Sequence, residues 1–482
     1  MSSTAASDSP GVSLRFDDLL AAAMASSRGL DEEAVLSLAM PMACVDPLPL
    51  LPLLPAPDGF RFLWDGAPGL CLAAAGRCQS LELSGPRRFE LAQRFASLTL
   101  GRLNTDSGTS PASARPRVLL AFGFFDSPLN NCPDGVPGVQ AVLPRWQLSR
   151  HGQHCWLRLQ ACLGSANTPR SLSEELWETA RLLEQAASSS QLQGAATAVT
   201  VNWSSPWQQD YSAAVERGLE LVESGTLRKL VLAVRQDLHC THPLDPLNLL
   251  PPLRRQQTGS CRLLWQRGLG SALVGASPER LLTVRQGQVR SDALAGTTAA
   301  NADAADLLNS AKDRLEHELV ATTIVEALSR LGLQPRRPRH PRLARHGHLA
   351  HLHTPITAEI SHLHPLALAA ALHPTPAVAG LPRREALAAL RSLEPFERGH
   401  YAAPIGWVDS AGDADLRVAI RCGVVRGQQL ELTAGAGLVK GSQPCRELQE
   451  VKLKLEVLQQ QLNVPKEMPT ASVRDMLQSV AG

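Results

Sequence analysis

The stretch LRVAIRCGVVRGQQLELTAGAGLV, Leu416 to Val439, reads as two strands, LRVAIRCGVV and LELTAGAGLV, separated by a turn at RGQQ. A connection this short joins antiparallel neighbours. Downstream, a helical pattern runs from about Arg446 to Gln461. Upstream lie a helix from Asp210 to Glu223, the strand TLRKLVLAV (Thr226 to Val234), and the hairpin-like CRLLWQRGLGSALVGASPERLLTVRQGQVRSDAL. A long helix follows from Ala311 to Leu331, then a basic connector. The first 185 or so residues mix strand-like runs such as HCWLRLQACL with helical ones such as SLSEELWETARLLEQAA. Strands alternating with helices, with antiparallel hairpins among them, specify an α+β fold and not a doubly wound parallel sheet. The small, polar stretch SSSQLQGAAT, Ser188 to Thr197, reads as a connector between the halves.

The chain has 482 residues, 44% hydrophobic and 19% charged, with a formal net charge of +2. That is the make-up of a soluble globular protein with no general attraction to nucleic acid or membrane surfaces. The ten cysteines form no CxxC pair, which favours a reducing compartment. Asp17 and Asp18 stand where a signal peptide would be apolar. The most apolar run, AMPMACVDPLPLLPLLPAP, is broken by Asp46 and repeated prolines, so no membrane span is expected.

Only six of the 47 basic residues are lysines, and Lys229 in TLRKLVLAV is the first of them. With a period of two, Leu230, Leu232 and Val234 share one face, while Lys229 sits with Val231 and Ala233 on the other. A chain that otherwise uses arginine places an amine here, a group that can lose its proton where a guanidinium cannot. The alternative is a strand-end lysine reaching into solvent.

The long helix opens SAKDRLEHELV, with Asp313 and Glu316 near one face, and the last helix reads CRELQEVKLKLEVL, with Glu447, Glu450 and Lys454 on one face. Each has an ordinary explanation, a capped acidic first turn and an i, i+4 ion pair. Carboxylates offered by two helices are nonetheless what Mg²⁺ takes, together with waters and an anionic substrate. Arg421 shares a strand face with Ala419 and Gly423, where a flat carboxylate can be gripped. The loop TAGAGLVKG, with Gly435 and Gly437, and ALAGTT, with Gly296 and Thr297, offer backbone N–H groups to an anion. The segment PRRPRHPRLARHGHLAHLHT, carrying His346, His348, His351 and His353, reads as an exposed basic connector entering a strand.

In order along the chain, KLVLAV, GASPERLL, ALAGT, KDRLEHELV, HLHT, LHPTPAVAG, EPFERGHYAAPIGW, VAIRCG, TAGAGLVKGS and ELQEVKLKL resemble the chorismate-utilising enzymes over about Trp207 to Leu458. The resemblance implies a four-layer α/β/β/α chorismate-binding fold with two central packed sheets. On that reading residues 1–12 form a flexible tail, 13–195 the N-terminal part of the fold, 196–465 the chorismate-binding catalytic region, and 466–482 a C-terminal tail. It implies Mg²⁺ held by Glu316 and Glu450, with Asp313 and Glu447 as water-mediated ligands. The substrate carboxylates fall to Arg421, Gly435 and Lys454, aided by Gly296, Thr297 and His351.

A lysine in KLVLAV resembles the members that add water to the ring, with Lys229 as general base and Glu279 as general acid. The implied activity is isochorismate synthesis from chorismate, in the cytoplasm, by a monomer without a glutamine amidotransferase subunit, on a quinone branch. The nearest alternative is a salicylate synthase, which goes on to eliminate pyruvate. Such enzymes tend to carry a hydroxyl residue where this chain has Ala377. A remote alternative is an inactive scaffold or an RNA-binding protein using the arginine-rich connector. Ala403 stands where the family often has glycine. The chemistry requires an amine of ordinary pKa about 10.4 to work neutral and a carboxyl of about 4.3 to hold its proton, a bias of roughly 4 kcal/mol each. At Glu279, desolvation must outweigh the nearby positive charge.

Overall fold

The computed structural model describes residues 14–29, 34–66, 69–105, 111–128, 135–189, 199–299, 305–347, 349–462 and 464. The expected tails at 1–12 and 466–482 lie outside these residues, as does the connector beyond Ser189.

Two antiparallel sheets share the long strand Val139–His151, whose one edge pairs first with Arg117–Phe122 and then with His154–Cys162. The first sheet passes from that shared strand through Cys71–Leu83, Arg61–Asp65, Cys261–Gln266, Ala272–Ser277, Cys422–Arg426 and Gln429–Val439 to Lys229–Cys240. The second runs from Arg117–Phe122 through Pro404–Asp409, Ala414–Val418, Arg280–Arg285 and Gln288–Ala299 to Leu349–Glu359. Phe62, Trp64, Leu263 and Trp265 from one sheet meet Leu119, Ala121, Ile405 and Trp407 from the other in a buried apolar layer between them.

Helices Gln208–Glu223, Arg383–Leu393 and Pro444–Gln461 pack on the first sheet, Ala311–Arg330 and Pro365–Leu372 pack against the second, and Arg88–Gly101 lies on the strand that the two share. The result is the expected α+β fold. No helix among the described residues is long and apolar enough to cross a membrane.

Three local expectations change. LRVAIRCGVV is not one strand: it breaks into Ala414–Val418 and Cys422–Arg426, one in each sheet, and Arg421 at the break has φ 54°. The crossing is possible because Gly275 lets the backbone close in; a Cβ there would lie 2.4 Å from the Arg421 carbonyl oxygen. Gly435 and Gly437 lie inside the Gln429–Val439 strand and not in a loop, paired with Ala233 and Val231. The basic connector ends in a hairpin of its own, Arg342–His346 with Leu349–Glu359. Alternation of histidines with apolar residues already fits a pleated strand there; His348 lies outside the described residues.

Candidate active site

The pleat of the Lys229–Cys240 strand sends Leu230 and Leu232 toward Gly218 of the Gln208–Glu223 helix, where a Cβ would meet both leucines within 3.3 Å. Lys229 and Val231 therefore point to the opposite side. Lys229 is 0% exposed, so the solvent-lysine alternative is excluded. Its Nζ lies 2.9 Å from Glu316 Oε1 on the Ala311–Arg330 helix. Gly437 makes this approach possible, since a Cβ there would sit 2.6 Å from Glu316 Oε1 and 3.1 Å from Lys229 Cε. Burial pushes the Glu316 carboxyl up, but Lys229, with Lys454 and Lys312 behind it, holds it below its ordinary value.

A cavity of about 740 Å³, counting its open mouth, collects nine of the twelve residues expected at the site: Glu279, Gly296, Thr297, Glu316, His351, Arg421, Gly435, Glu450 and Lys454. Lys229 stands directly behind Glu316, and Asp313 and Glu447 also lie outside the lining.

Glu279 follows the Ala272–Ser277 strand, where its N–H donates to Ser277 Oγ at 3.2 Å and its carbonyl accepts from Val418 N–H at 3.1 Å. Burial pushes its carboxyl up to about 7, against the downward pull of Lys229, Lys454 and Arg421. Desolvation thus outweighs the surrounding charge, as a general acid at neutral pH requires.

Arg421, His351 and Gly296 form a chain of hydrogen bonds. The Arg421 guanidinium donates to His351 Nε2, and His351 Nδ1 lies 3.1 Å from the Gly296 carbonyl and 3.2 Å from Thr297 Oγ1. Because a guanidinium only donates, Nε2 is the bare nitrogen and Nδ1 carries the proton. Burial and then Arg421 hold the imidazole well below its ordinary pKa, so it is neutral. Gly296 has φ 72° at a bulge against the Leu349–Glu359 strand, and its missing side chain leaves room for Asp313, whose Cβ would lie 3.2 Å from a Gly296 Cβ.

The Gly435 carbonyl accepts from Lys454 Nζ at 2.7 Å. Its ladder position explains the residue, because a Cβ would lie 2.8 Å from the Leu232 carbonyl oxygen.

The four carboxylates come from the two expected helices, and three are matched with lysines: Glu316 with Lys229, Glu450 with Lys454 at 2.7 Å, and Glu447 with Lys312 at 2.6 Å. Burial pushes Asp313 and Glu447 up. Glu447 Oε2 is buried without a hydrogen-bond partner. No group of three or more Asp, Glu, His or Cys side chains converges on a metal position among the described residues. An all-oxygen set with an unpartnered buried oxygen fits a hard divalent cation that draws its remaining ligands from water and substrate, not a closed protein cage.

Sequence reasoning missed two features. Tyr401, Ile420, Thr433 and Leu458 also line the cavity. In EPFERGHY, Glu394 and Arg398 form a buried ion pair at 2.5 Å; Glu394 accepts from Ala233 N–H at 2.8 Å and Arg398 donates to the Val231 carbonyl at 2.8 Å. The i, i+4 Glu–Arg spacing was a signal, but nothing local says that such a pair is buried.

A family model described as chorismate binding enzyme matches residues 20–463, and the chain belongs to that family. It is 38% identical over 264 residues to the salicylate biosynthesis isochorismate synthase of Pseudomonas aeruginosa, covering 53% of this chain and 55% of that protein's own length. It is 39% identical over 277 residues to the isochorismate synthase DhbC of Bacillus subtilis, covering 54% of this chain and 69% of that protein. The solved structure of MenF, the menaquinone-specific isochorismate synthase from Escherichia coli, superposes with a TM-score of 0.74 at 24% identity, over 93% of this chain and 98% of that one.

Proposed function

We propose that this chain is a Mg²⁺-dependent isochorismate synthase, converting chorismate reversibly to isochorismate. The observation that carries the reading is a buried lysine beside the cavity that holds a buried carboxyl raised to about 7. The isochorismate synthase relatives at 38% and 39% identity support it.

Lys229 takes a proton from water as the oxygen bonds to C2 of chorismate; both ring double bonds shift, C1=C2 to C1=C6 and C5=C6 to C4=C5, and the C4 hydroxyl leaves, protonated by Glu279. Atoms balance, and the reverse reaction exchanges the two roles. Arg421, oriented by His351, and Lys454 grip the substrate carboxylates, with Gly296, Thr297 and Gly435 shaping the wall. Glu316 and Glu450, backed by Asp313 and Glu447, would hold Mg²⁺, which supplies positive charge for a substrate carboxylate. The base role requires Lys229 to give up its share in the Glu316 ion pair before attack. Ala377 in the cavity wall offers no hydroxyl, which favours release of isochorismate over pyruvate elimination. We read the enzyme as a cytoplasmic monomer that uses water and needs no amidotransferase subunit.

The test is incubation with chorismate and MgCl₂, with products resolved by chromatography. Isochorismate without pyruvate is expected, and turnover stops when EDTA removes the metal. Lys229→Ala should still bind chorismate but lose about 10²-fold or more in rate. Salicylate and pyruvate as main products, or turnover indifferent to EDTA, would overturn the proposal.

A further inference from the structure

Lys312 has no part in the chemistry above, yet its ammonium is 2.6 Å from Glu447 Oε1, and its side chain is 32% exposed against 1% for that of the glutamate. Glu447, Glu450 and Glu316 all act on this ammonium. With Lys229 on Glu316 and Lys454 on Glu450, three lysines face the four carboxylates Asp313, Glu316, Glu447 and Glu450. The cluster is therefore close to charge balance from within the chain. A divalent cation entering it meets carboxylates that already have counter-ions.

We propose that Lys312 is a resident competitor of the metal, an internal cation that stabilises the buried Glu447 carboxylate in the metal-free protein and holds the affinity for Mg²⁺ down. The inference rests on the metal assignment made above. Packing, as well as Lys312, holds Glu447 in place. That carboxylate is enclosed by packing in the first turn of the Pro444–Gln461 helix, where the helix dipole also favours it. What Lys312 adds is charge, and a unit charge a few ångströms from an incoming dication acts strongly in a partly desolvated site.

The experiment is calorimetric titration of MgCl₂ into chelator-stripped full-length protein, with the melting temperature followed in parallel. Lys312→Gln keeps a hydrogen-bond donor for Glu447 and removes the charge. Its dissociation constant for Mg²⁺ should fall about tenfold, the scale of one nearby charge screened by protein and solvent. The metal-free variant should melt lower than wild type and gain more from Mg²⁺, and the affinity difference should shrink in high salt. Lys312→Arg, which keeps the charge, should bind Mg²⁺ as wild type does. If wild type binds Mg²⁺ and Lys312→Gln binds it no tighter, or if Lys312→Arg tightens it equally, this inference fails alone. If wild type takes up no Mg²⁺, the metal assignment fails and the inference with it.

Discussion

At Glu279 two opposing effects meet in one side chain. Three cations pull its carboxyl toward ionisation, yet burial leaves it titrating at about 7. In the unfolded chain the same group titrates at about 4.3, so the folded state holds the extra proton between these values. The stability this contributes is fully present below about pH 4.3 and is lost as pH rises through about 7. The same titration would remove the general acid proposed above. We therefore expect kcat/KM for chorismate to decline above about pH 7, and Glu279→Gln to lack activity across the range; a pH–rate profile flat from 6 to 9, about the window in which the carboxyl ionises, would rule out this role.

A second residue-scale effect lies at Ala402, buried with φ 62°, its N–H bonded to the Ala419 carbonyl at 2.9 Å. A left-handed backbone costs an L-residue roughly 1–2 kcal/mol, and glycine avoids it at the cost of a looser unfolded chain. Ala402→Gly should stabilise by about 0.5–1 kcal/mol, read as a higher denaturation midpoint at constant slope. The sequence pointed one residue further on, to Ala403 as the place for glycine. The backbone angle that needs it belongs to Ala402.

At the scale of elements, the Lys229–Cys240 strand is held on one edge by the Gln429–Val439 ladder and on the other, next to the site, by a two-residue strand and then by side chains. Gly380 and Leu381 pair with Leu230 and Lys229; beyond them Glu394 and Arg398 bond Ala233 and Val231 in place of a further strand. Arg398 also donates to the Val378 carbonyl at 2.8 Å, tying the cavity wall to the strand. Removing one partner leaves a buried charge uncompensated, so Arg398→Met should cost about 3–5 kcal/mol in chemical denaturation. Converting both residues to apolar ones should cost less, because no lone charge remains. A double variant as unstable as the single one would mean that the backbone bonds, and not the charge pair, hold the strand. The helices were legible in outline because their apolar spacing is local. The break at Arg421 was not, because the residues that permit it, Gly275 and the two sheets, are remote in sequence.

At the scale of the whole molecule, the site draws on residues from Lys229 to Leu458, brought together where the two sheets and their helices converge. The order of motifs named the candidates, and the structure gathers nine of the twelve around one cavity. The amphipathic helices, the hairpins and the rarity of lysine were determined by the sequence alone, because periodicity and composition need no partner. Which carboxylate each lysine meets, how far burial lifts Glu279, and the bare nitrogen of His351 were decided only by the tertiary structure. Desolvation and Coulomb forces depend on groups far apart along the chain, and only folding sets their distances.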